Sequence, residues 1–379
     1  MKNIVILGGG LVGRAVAYDL QSEHHVTVMD TDINRLRYLK NTMPSIHISR
    51  GDASSPKDLL PEIAHTDLVI GALPPSISAK SFHAVIEAGI DTVQISSFSE
   101  DVALLDEVAR DKNVTAVIDA GIAPGLPNLI LGYHITQMPV ERYECLYGSL
   151  PAEYTPPLYH RDHYPIREVI DEYLTPARAI EHEQPVTRGC LSISQELELP
   201  GIGPVAAFPY DGLGSLLHTM RARVPFMSQH LLRHPEHIRY LNTLRESGLL
   251  SKNSITLENG TIVSPFDVTT GVLEKFMCQV ESEPDYIAIR VTLQNTSETH
   301  SYDLLDRNDA ATQMSAMSRC AGYTGAAVAR LVLNGKFIQK GIYPTEYVGM
   351  EADCFHTIIA DLSSRNIILK EHTIRDKHT

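Results

Sequence analysis

Short apolar runs alternate with amphipathic stretches along the first third of the chain. Residues 3–7 (Asn-Ile-Val-Ile-Leu) form a continuous apolar run, the signature of a strand buried on both faces of a parallel sheet. Similar runs recur at 26–29, 46–49, 67–72, 92–95 and 115–119. Between them lie segments with helical spacing. In Leu11–Leu20, Val12, Ala15, Val16 and Leu20 share one face. Helices are also expected over 33–40, from Ser55-Pro56 onward (Ser as cap, Pro at the first helical position), over 78–88 and over 101–111. Six strands alternating with helices predict parallel βαβ units. Right-handed crossovers make 3-2-1-4-5-6 the expected strand order.

The alternation stops after residue 130. Strands are expected at 144–150, 187–199 and 203–208, the last two joined by a turn at Pro200-Gly201-Ile202. A helix is expected at 167–173. Ile287, Ile289, Val291 and Leu293 alternate with polar or small residues, as in a half-buried strand; 294–300 reads as a turn and 301–305 as the returning strand. Residues 310–333 read as a long helix rich in small residues, with Gly322 and Gly325 permitting close packing. It is expected to pack back on the first domain, which makes the strand-rich part an insertion. The expected architecture is α/β: a Rossmann-type doubly wound parallel sheet (1–122 plus 311–379) with an inserted α/β mixed-sheet substrate and dimerisation domain (123–310).

The first strand runs into Gly8-x-Gly10-x-x-Gly13, a helix begins inside that motif, and Asp30 lies twenty residues past Gly10. Gly8 permits a tight turn, Gly10 lets backbone approach a pyrophosphate, and Gly13 lets the helix pack on the sheet. Leu11 and Val12 begin the helix whose free N–H groups face the phosphates. Asp30 suits a ribose diol and repels a 2′-phosphate, which favours NAD over NADP. Asp52 and Ala53 after strand three, and Ala72, Leu73 and Pro74 after strand four, are further candidate contacts; ordinary loop chemistry is the alternative, with Asp52 capping a turn. "DAGIAPGLPN" (119–128) follows strand six on the same sheet edge. Its Gly121 and Gly125 can take positive φ and leave room for a ring, while Pro124 and Pro127 stiffen the turn. The loop reads as a wall of the nicotinamide pocket or, equally, as a plain linker.

Bulk properties narrow the field. The 379 residues are 43% apolar, with 32 Lys plus Arg against 46 Asp plus Glu, a net charge of −14. That field repels polyphosphates, so nucleic acid is not an expected partner. Five dispersed cysteines without a CxxC pair read as free thiols in a reducing cytosol. The start resembles a signal peptide, but the glycines and Arg14 interrupt its apolar segment. No segment approaches the ~18 unbroken apolar residues of a membrane span. His160-x-x-His163 and the set His230, His234 and His237 invite a metal reading; Pro235 interrupts the second set, no HExxH occurs, and no metal is expected. Serine-hydrolase and P-loop motifs are absent from the sequence.

The whole set of landmarks resembles the saccharopine reductase superfamily, and within it the lysine 6-dehydrogenases. They are "ILGGGLVGRAVAYDL", "LVIGALP", "DAGIAPGLPN", "GSLP" (148–151), "PPLY" (156–159), "IDEYLTPARAI" (170–180), "YDGLGSL" (210–216) and "MSRCAGYTGAAVAR" (317–330). The resemblance implies a nicotinamide-binding Rossmann domain, an inserted substrate domain, a homodimer and hydride chemistry at an amine carbon. Where saccharopine reductases show G-L-D-P-G, this chain reads G-I-A-P-G with Ala123, a departure that points toward lysine oxidation at the ε-amine with NAD. Ser149 stands where the family has a second glycine. A saccharopine- or carboxyspermidine-type reductase and a non-catalytic dinucleotide sensor are the alternatives.

Oxidative deamination requires a base for the ammonium proton and anchors for the substrate carboxylate. Asp211, in a Tyr-Asp-Gly turn, is the first candidate base or amine anchor, followed by Tyr159 and Asp119. Arg178 and Arg161 are candidate carboxylate anchors, and Gly121 and Pro124 candidate substrate contacts. The plain alternatives are a turn-forming Asx residue for Asp211, an aromatic packed on prolines for Tyr159 and surface ion pairs for the arginines.

Overall fold

The computed structural model describes residues 1–96, 98, 102–162, 165–193, 195–278 and 283–375. The chain divides into two compact units: Met1–Val140 with Gly214–Leu216 and Met317–Leu369, and Glu141–Leu213 with Leu217–Ala316 and the segment from Lys370 onward.

The first unit opens with β1 (Asn3–Leu7), α1 (Leu11–Leu20), β2 (His25–Asp30), α2 (Ile33–Thr42), β3 (His47–Arg50), α3 (Pro56–Ile63), β4 (Leu68–Gly71), α4 (Pro75–Glu87), β5 (Thr92–Gln94), α5 (Asp106–Asp111), β6 (Thr115–Ile118) and α6 (Leu126–His134). Ile4, Val5, Ile6 and Leu7 are all buried, as a strand covered on both faces requires. Asp32 caps α2, accepting from Asn34 N at 2.8 Å and Arg35 N at 3.3 Å. α3 does begin with Pro56, but the Ser55 side chain makes no capping bond there. The helix expected over 101–111 begins as a 3-10 turn at Val102–Leu105 and becomes α only at Asp106; Asp101 lies outside the described residues.

The second unit is a mixed sheet with helices. In chain order it holds β7 (Arg142–Pro151), α7 (Ile166–Leu174), β8 (Ala177–Glu181), β9 (Gln184–Arg188), β10 (Gln195–Leu199), β11 (Gly203–Pro209), the short α8 (Leu216–Thr219, whose first residue is grouped with the first unit), β12 (Phe226–Arg233), α9 (Pro235–Glu246), β13 (Ile255–Thr256), β14 (Ile262–Val263), α10 (Pro265–Met277), β15 (Asp285–Gln294) and β16 (Glu298–Arg307). β7 is parallel to β12 and antiparallel to β15. The run expected as one strand over 187–199 is two, β9 and β10, in different parts of the sheet. The β15–β16 hairpin turns at 295–297, so the polar segment 298–300 belongs to the strand. Ile166, Ile170, Tyr173, Phe208, Leu231, Ile238, Leu241 and Phe266 pack together on one face of the sheet.

The chain then returns through α11 (Ala316–Leu333), β17 (Gly341–Pro344), α12 (Thr345–Met350), α13 (Ala352–Ser364) and β18 (Leu369–Arg375). α11 is shorter than the 310–333 expected: Asp309 and Met314 form a bridge before it, and Asp285 Oδ1 caps its first N–H at 2.7 Å. It packs against α1 through Gly322, where a Cβ would lie 2.7 Å from Ala15 Cβ. The first unit's sheet has the order β17-β6-β5-β4-β1-β2-β3. The expected 3-2-1-4-5-6 is present, extended past β6 by the unforeseen parallel strand β17. The division into units also departs from the expected boundaries. α6 stays with the first unit, packed against α12, and β18 pairs with β16 in the second. Among the described residues, no helix is long and apolar enough to cross a membrane.

Candidate functional site

The first unit holds a nucleotide cradle at the carboxyl end of β1. Gly8 has φ +98°, and a Cβ there would lie 2.5 Å from the Ala72 carbonyl oxygen at the end of β4. A Cβ on Gly13 would lie 1.9 Å from the Gly8 oxygen, so only glycine lets α1 seat on the strand. Gly10, the residue before α1, faces open space. The first turn of α1 contains no acidic side chain to compete for its N–H groups. Leu11 and Val12 are half-buried there.

Asp30 closes β2 and is buried. Its Oδ2 accepts from Gly9 N at 2.7 Å and from Arg35 Nη1 at 3.0 Å; its Oδ1 accepts from Asp32 N at 2.8 Å. Burial works against its charge, but the bonds from Asp32, Gly9 and Arg35 together hold its carboxyl below the usual carboxylate range. The acid is therefore ionised and tied to the glycine loop. Asp52 is exposed and accepts from Ser54 N and Oγ at 2.8 and 2.7 Å, the turn-capping arrangement. Ala53 and Leu73 are buried in the apolar cluster with Val5 and Leu7, and Ala72 and Pro74 border the turn from β4 into α4.

A second constellation forms after β6. Asp119 is buried with φ +55° and accepts from the Ser215 backbone and side chain. Burial raises its carboxyl above the usual range, and the Ser215 bonds only partly oppose this. Asn128 Nδ2 donates to Ser215 Oγ and to Glu346 Oε2, both at 3.3 Å, and Ser215 Oγ donates to Glu346 Oε2 at 3.0 Å. Thr345 Oγ1 donates to the Asp119 carbonyl at 3.1 Å. Glu346 is fully buried. Asn128, Ser215, Thr345 and Glu346 were given no role in the sequence: they come from three distant segments, and only the "DAGIAPGLPN" and "YDGLGSL" landmarks contain two of them, Asn128 and Ser215.

The positive φ values in "DAGIAPG" fall on Asp119 and Gly125, not on Gly121. Gly121 is needed for another reason: a Cβ would lie 2.8 Å from the Ile95 carbonyl oxygen, so its bareness accommodates a neighbouring strand end. Pro124, half-buried, follows a cis peptide bond.

The remaining candidates lie in the second unit. Arg178 Nε donates to Asp211 Oδ1 at 2.9 Å and Oδ2 at 3.1 Å, and Arg178 N donates to Oδ1 at 3.1 Å. The residues considered separately as base and as carboxylate anchor thus form one pair. Arg161 is engaged by Glu283 and by the Cys278 carbonyl at 2.8 Å. Tyr159 has φ +53° and its ring stacks on His234, centroids 4.7 Å apart. His237 Nδ1 donates to Leu158 O at 2.7 Å, and its ring lies 4.8 Å from that of His160. His160 contacts Asp162 at 3.3 Å, and buried Arg233 donates to Tyr173 Oη at 2.6 Å. His230 stands 3.8 Å from Glu144. His163 lies outside the described residues.

Two family models match consecutive parts of the chain: the saccharopine dehydrogenase NADP binding domain over residues 4–117, and the saccharopine dehydrogenase C-terminal domain over 121–368. An alpha-aminoadipic semialdehyde synthase from Arabidopsis thaliana is 24% identical over 178 residues, which cover 40% of this chain and 17% of that protein. The chain thus spans under a fifth of that curated relative. In fold it is similar to apo saccharopine dehydrogenase (L-Glu forming) from Saccharomyces cerevisiae, with a TM-score of 0.82 at 17% identity, covering 99% of this chain and 100% of the other. Members of the family are NAD(P)-dependent oxidoreductases acting on CH–NH groups. With both of its domains matched in order, this chain belongs to the saccharopine dehydrogenase family.

Proposed function

We propose that this chain is an NAD-dependent amino-acid dehydrogenase that oxidises the ε-amine of lysine. The observation that carries the reading is Asp30: buried, ionised, and bonded to Gly9 at the start of the glycine turn. A carboxylate in that place accepts from a ribose diol and repels a 2′-phosphate. The cradle fits a dinucleotide, since Gly8 and Gly13 bring backbone together where side chains would collide. Bound NAD supplies the hydride acceptor. The N–H groups at the start of α1 hold its diphosphate. Gly10, Leu11, Val12, Ala53, Ala72, Leu73 and Pro74 supply the surrounding walls.

In the second unit, Asp211 occupies the Nε edge of Arg178 and orients the guanidinium. The two Nη groups then suit bidentate capture of the substrate carboxylate. Taken by itself in the first unit, buried Asp119 is the candidate acceptor for an ammonium proton; Tyr159 is a candidate substrate contact within the second unit. The resemblance supports a homodimer, and five unpaired cysteines support a reducing, cytoplasmic setting.

Arg35 favours one other reading. It stands 3.0 Å from Asp30 and is about half exposed, where a cation can meet a 2′-phosphate. With NADPH, the chemistry would be that of a saccharopine-type reductase. The test is incubation with NAD or NADP and a panel of lysine, other diamino acids and saccharopine, followed by the near-ultraviolet absorbance of reduced nicotinamide. Reduction of NAD by lysine supports the proposal. Turnover only with saccharopine and NADP selects the second reading, and dinucleotide binding without any turnover overturns both.

A further inference from the structure

Helix α10 is apolar on two sides. Its inner side carries Phe266, Leu273 and Met277 into the apolar cluster of the second unit. On its outer side Val268, Val272 and Phe276 are 53%, 51% and 58% exposed. Their i, i+4, i+8 spacing makes them one continuous stripe. A surface helix ordinarily turns charged and polar residues outward, and a helix that is apolar all round is a buried one. Thr269, next to the stripe, donates through Oγ1 to the Leu249 carbonyl at 2.8 Å, so half-exposed Leu249 borders it.

The hairpin that leads into α10 has the same character. β13 and β14, two residues each, form a two-stranded sheet of their own. Ile255 stands opposite Val263 and Thr256 opposite Ile262, so Ile255 and Ile262 lie on opposite faces of the hairpin. They are 50% and 70% exposed. An isolated two-stranded hairpin is marginal in water, and one with an open isoleucine on each face needs a cover. Ser264 alone separates β14 from α10.

We propose that the outer face of α10 and the β13–β14 hairpin form a two-fold interface with a second copy of this chain, the two α10 helices running antiparallel and crossing at Val272. The inference rests on the homodimer of the proposed function and adds its face and register. In a two-fold contact the same patch serves both copies. Val272 then meets its own counterpart, and Val268 meets the second copy's Phe276. The flank of the stripe fits this register. Asp267, Gly271 and Lys275 line one side at i, i+4, i+8, with the acid in the first turn and the lysine in the last. Antiparallel pairing brings each Lys275 to the other copy's Asp267, whereas parallel pairing sets like charges together. Asp267 also meets Arg167 of its own chain. A Cβ on Gly271 would find nothing within 4 Å, so the flank between the two charges is open to a close approach.

The extent of the face also suits a second copy. A helix of this length runs ~20 Å, and with the hairpin at its start the face reaches the span of the about 800 Å² that each partner gives to a standard interface. A lipid surface is the poorer occupant. Faces that lie on membranes are bordered by Lys and Arg, and this one carries Asp267 and Glu274 beside Lys275.

Sedimentation of the full chain tests the proposal. The unaltered protein is expected to be a dimer at micromolar concentration. Val272→Asp sets two carboxylates across the axis and is expected to raise the dissociation constant roughly a hundredfold, and Lys275→Glu about tenfold, with unchanged circular dichroism. A second variant does not depend on weakening. In a Cys278→Ser background, which removes the exposed thiol just past α10, Val272→Cys is expected to give a covalent dimer on mild oxidation. Ile338→Cys, exposed in the first unit, is expected to give none. A dimer of unaltered strength in Val272→Asp overturns the face and leaves the homodimer standing, as does a dimeric Val272→Cys chain that does not cross-link. A monomeric unaltered chain overturns both the face and the homodimer. The dehydrogenase reading is decided separately, by reduction of NAD with lysine.

Discussion

Arg178 donates through Nε to both carboxylate oxygens of Asp211, at 2.9 and 3.1 Å. The arginine is about half exposed, so this pair contributes little to stability. Its value lies in orientation. Arg178→Gln is expected to raise the KM for the amino acid by roughly tenfold to a hundredfold, the loss of a charge-assisted bidentate contact. Asp211→Asn should raise it less, and neither should change the melting temperature or NAD affinity appreciably. Steady-state kinetics with calorimetric NAD titration decides this; a collapse of kcat at unchanged KM for Asp211→Asn would instead identify that residue as the base.

Gly13→Ala places a methyl group 1.9 Å from the Gly8 oxygen. Neither atom can yield without shifting α1 or the turn. The expected result is a destabilisation of roughly 1–3 kcal/mol and loss of detectable dinucleotide binding by calorimetry.

Acid should weaken the second unit through two buried histidines. Burial, reinforced by Arg233, pushes His160 down to about 4 despite Asp162. Burial, with His160 and Arg233 beside it, lowers His237 as well. An unfolded chain takes up these protons below about pH 6.5 while the folded chain does not. The contribution is therefore fully present above that pH and is lost as pH falls toward 4. For His160 alone the loss reaches about 3 kcal/mol at 1.36 kcal/mol per unit. Urea midpoints measured from about pH 7.5 down to about pH 5, across the titration of a free histidine, should fall with pH. They should fall less steeply in His160→Gln.

Arg330 ties α11 to α1 and α13. It meets Asp19 at 2.7 Å, Glu23 at 2.6 Å and Asp361 at 3.1 Å, and Arg365 joins the same two aspartates. Asp19 is nearly buried, so removing the arginine strands charge inside the fold. Arg330→Met is expected to cost about 3 kcal/mol or more, read as a drop in the urea midpoint; a change within error would show that solvent or Arg365 compensates.

The nucleotide cradle could be read from residues 8–30 because its geometry is local. Gly8 and Gly13 are dictated by contacts within one strand-turn-helix, and Asp30 ends the next strand. The constellation after β6 could not be read in this way. Asp119 was noticed as a strand-terminal acid, but its partners Ser215 and Glu346 arrive from far along the chain and carry no period or motif that marks them as polar core. β17 was missed because four residues ending in Pro344 are too short to show alternation. The strand expected over 187–199 failed because apolar alternation does not reveal a break between two strands of similar composition. At Asp52 the turn contact named as the alternative is present, with Oδ1 accepting from both Ser54 donors.

β17 hydrogen-bonds to β6 with Gly341 opposite Thr115. On the ribosome, β6 therefore emerges more than two hundred residues ahead of the strand that covers its edge. The helix bearing Glu346 follows β17 directly, so the last acid of the constellation enters at the same late moment. Synthesis of the nucleotide-binding sheet finishes only after the whole intervening unit has been made, and a ribosome stalled before that point holds a nascent chain with an open, adhesive β edge.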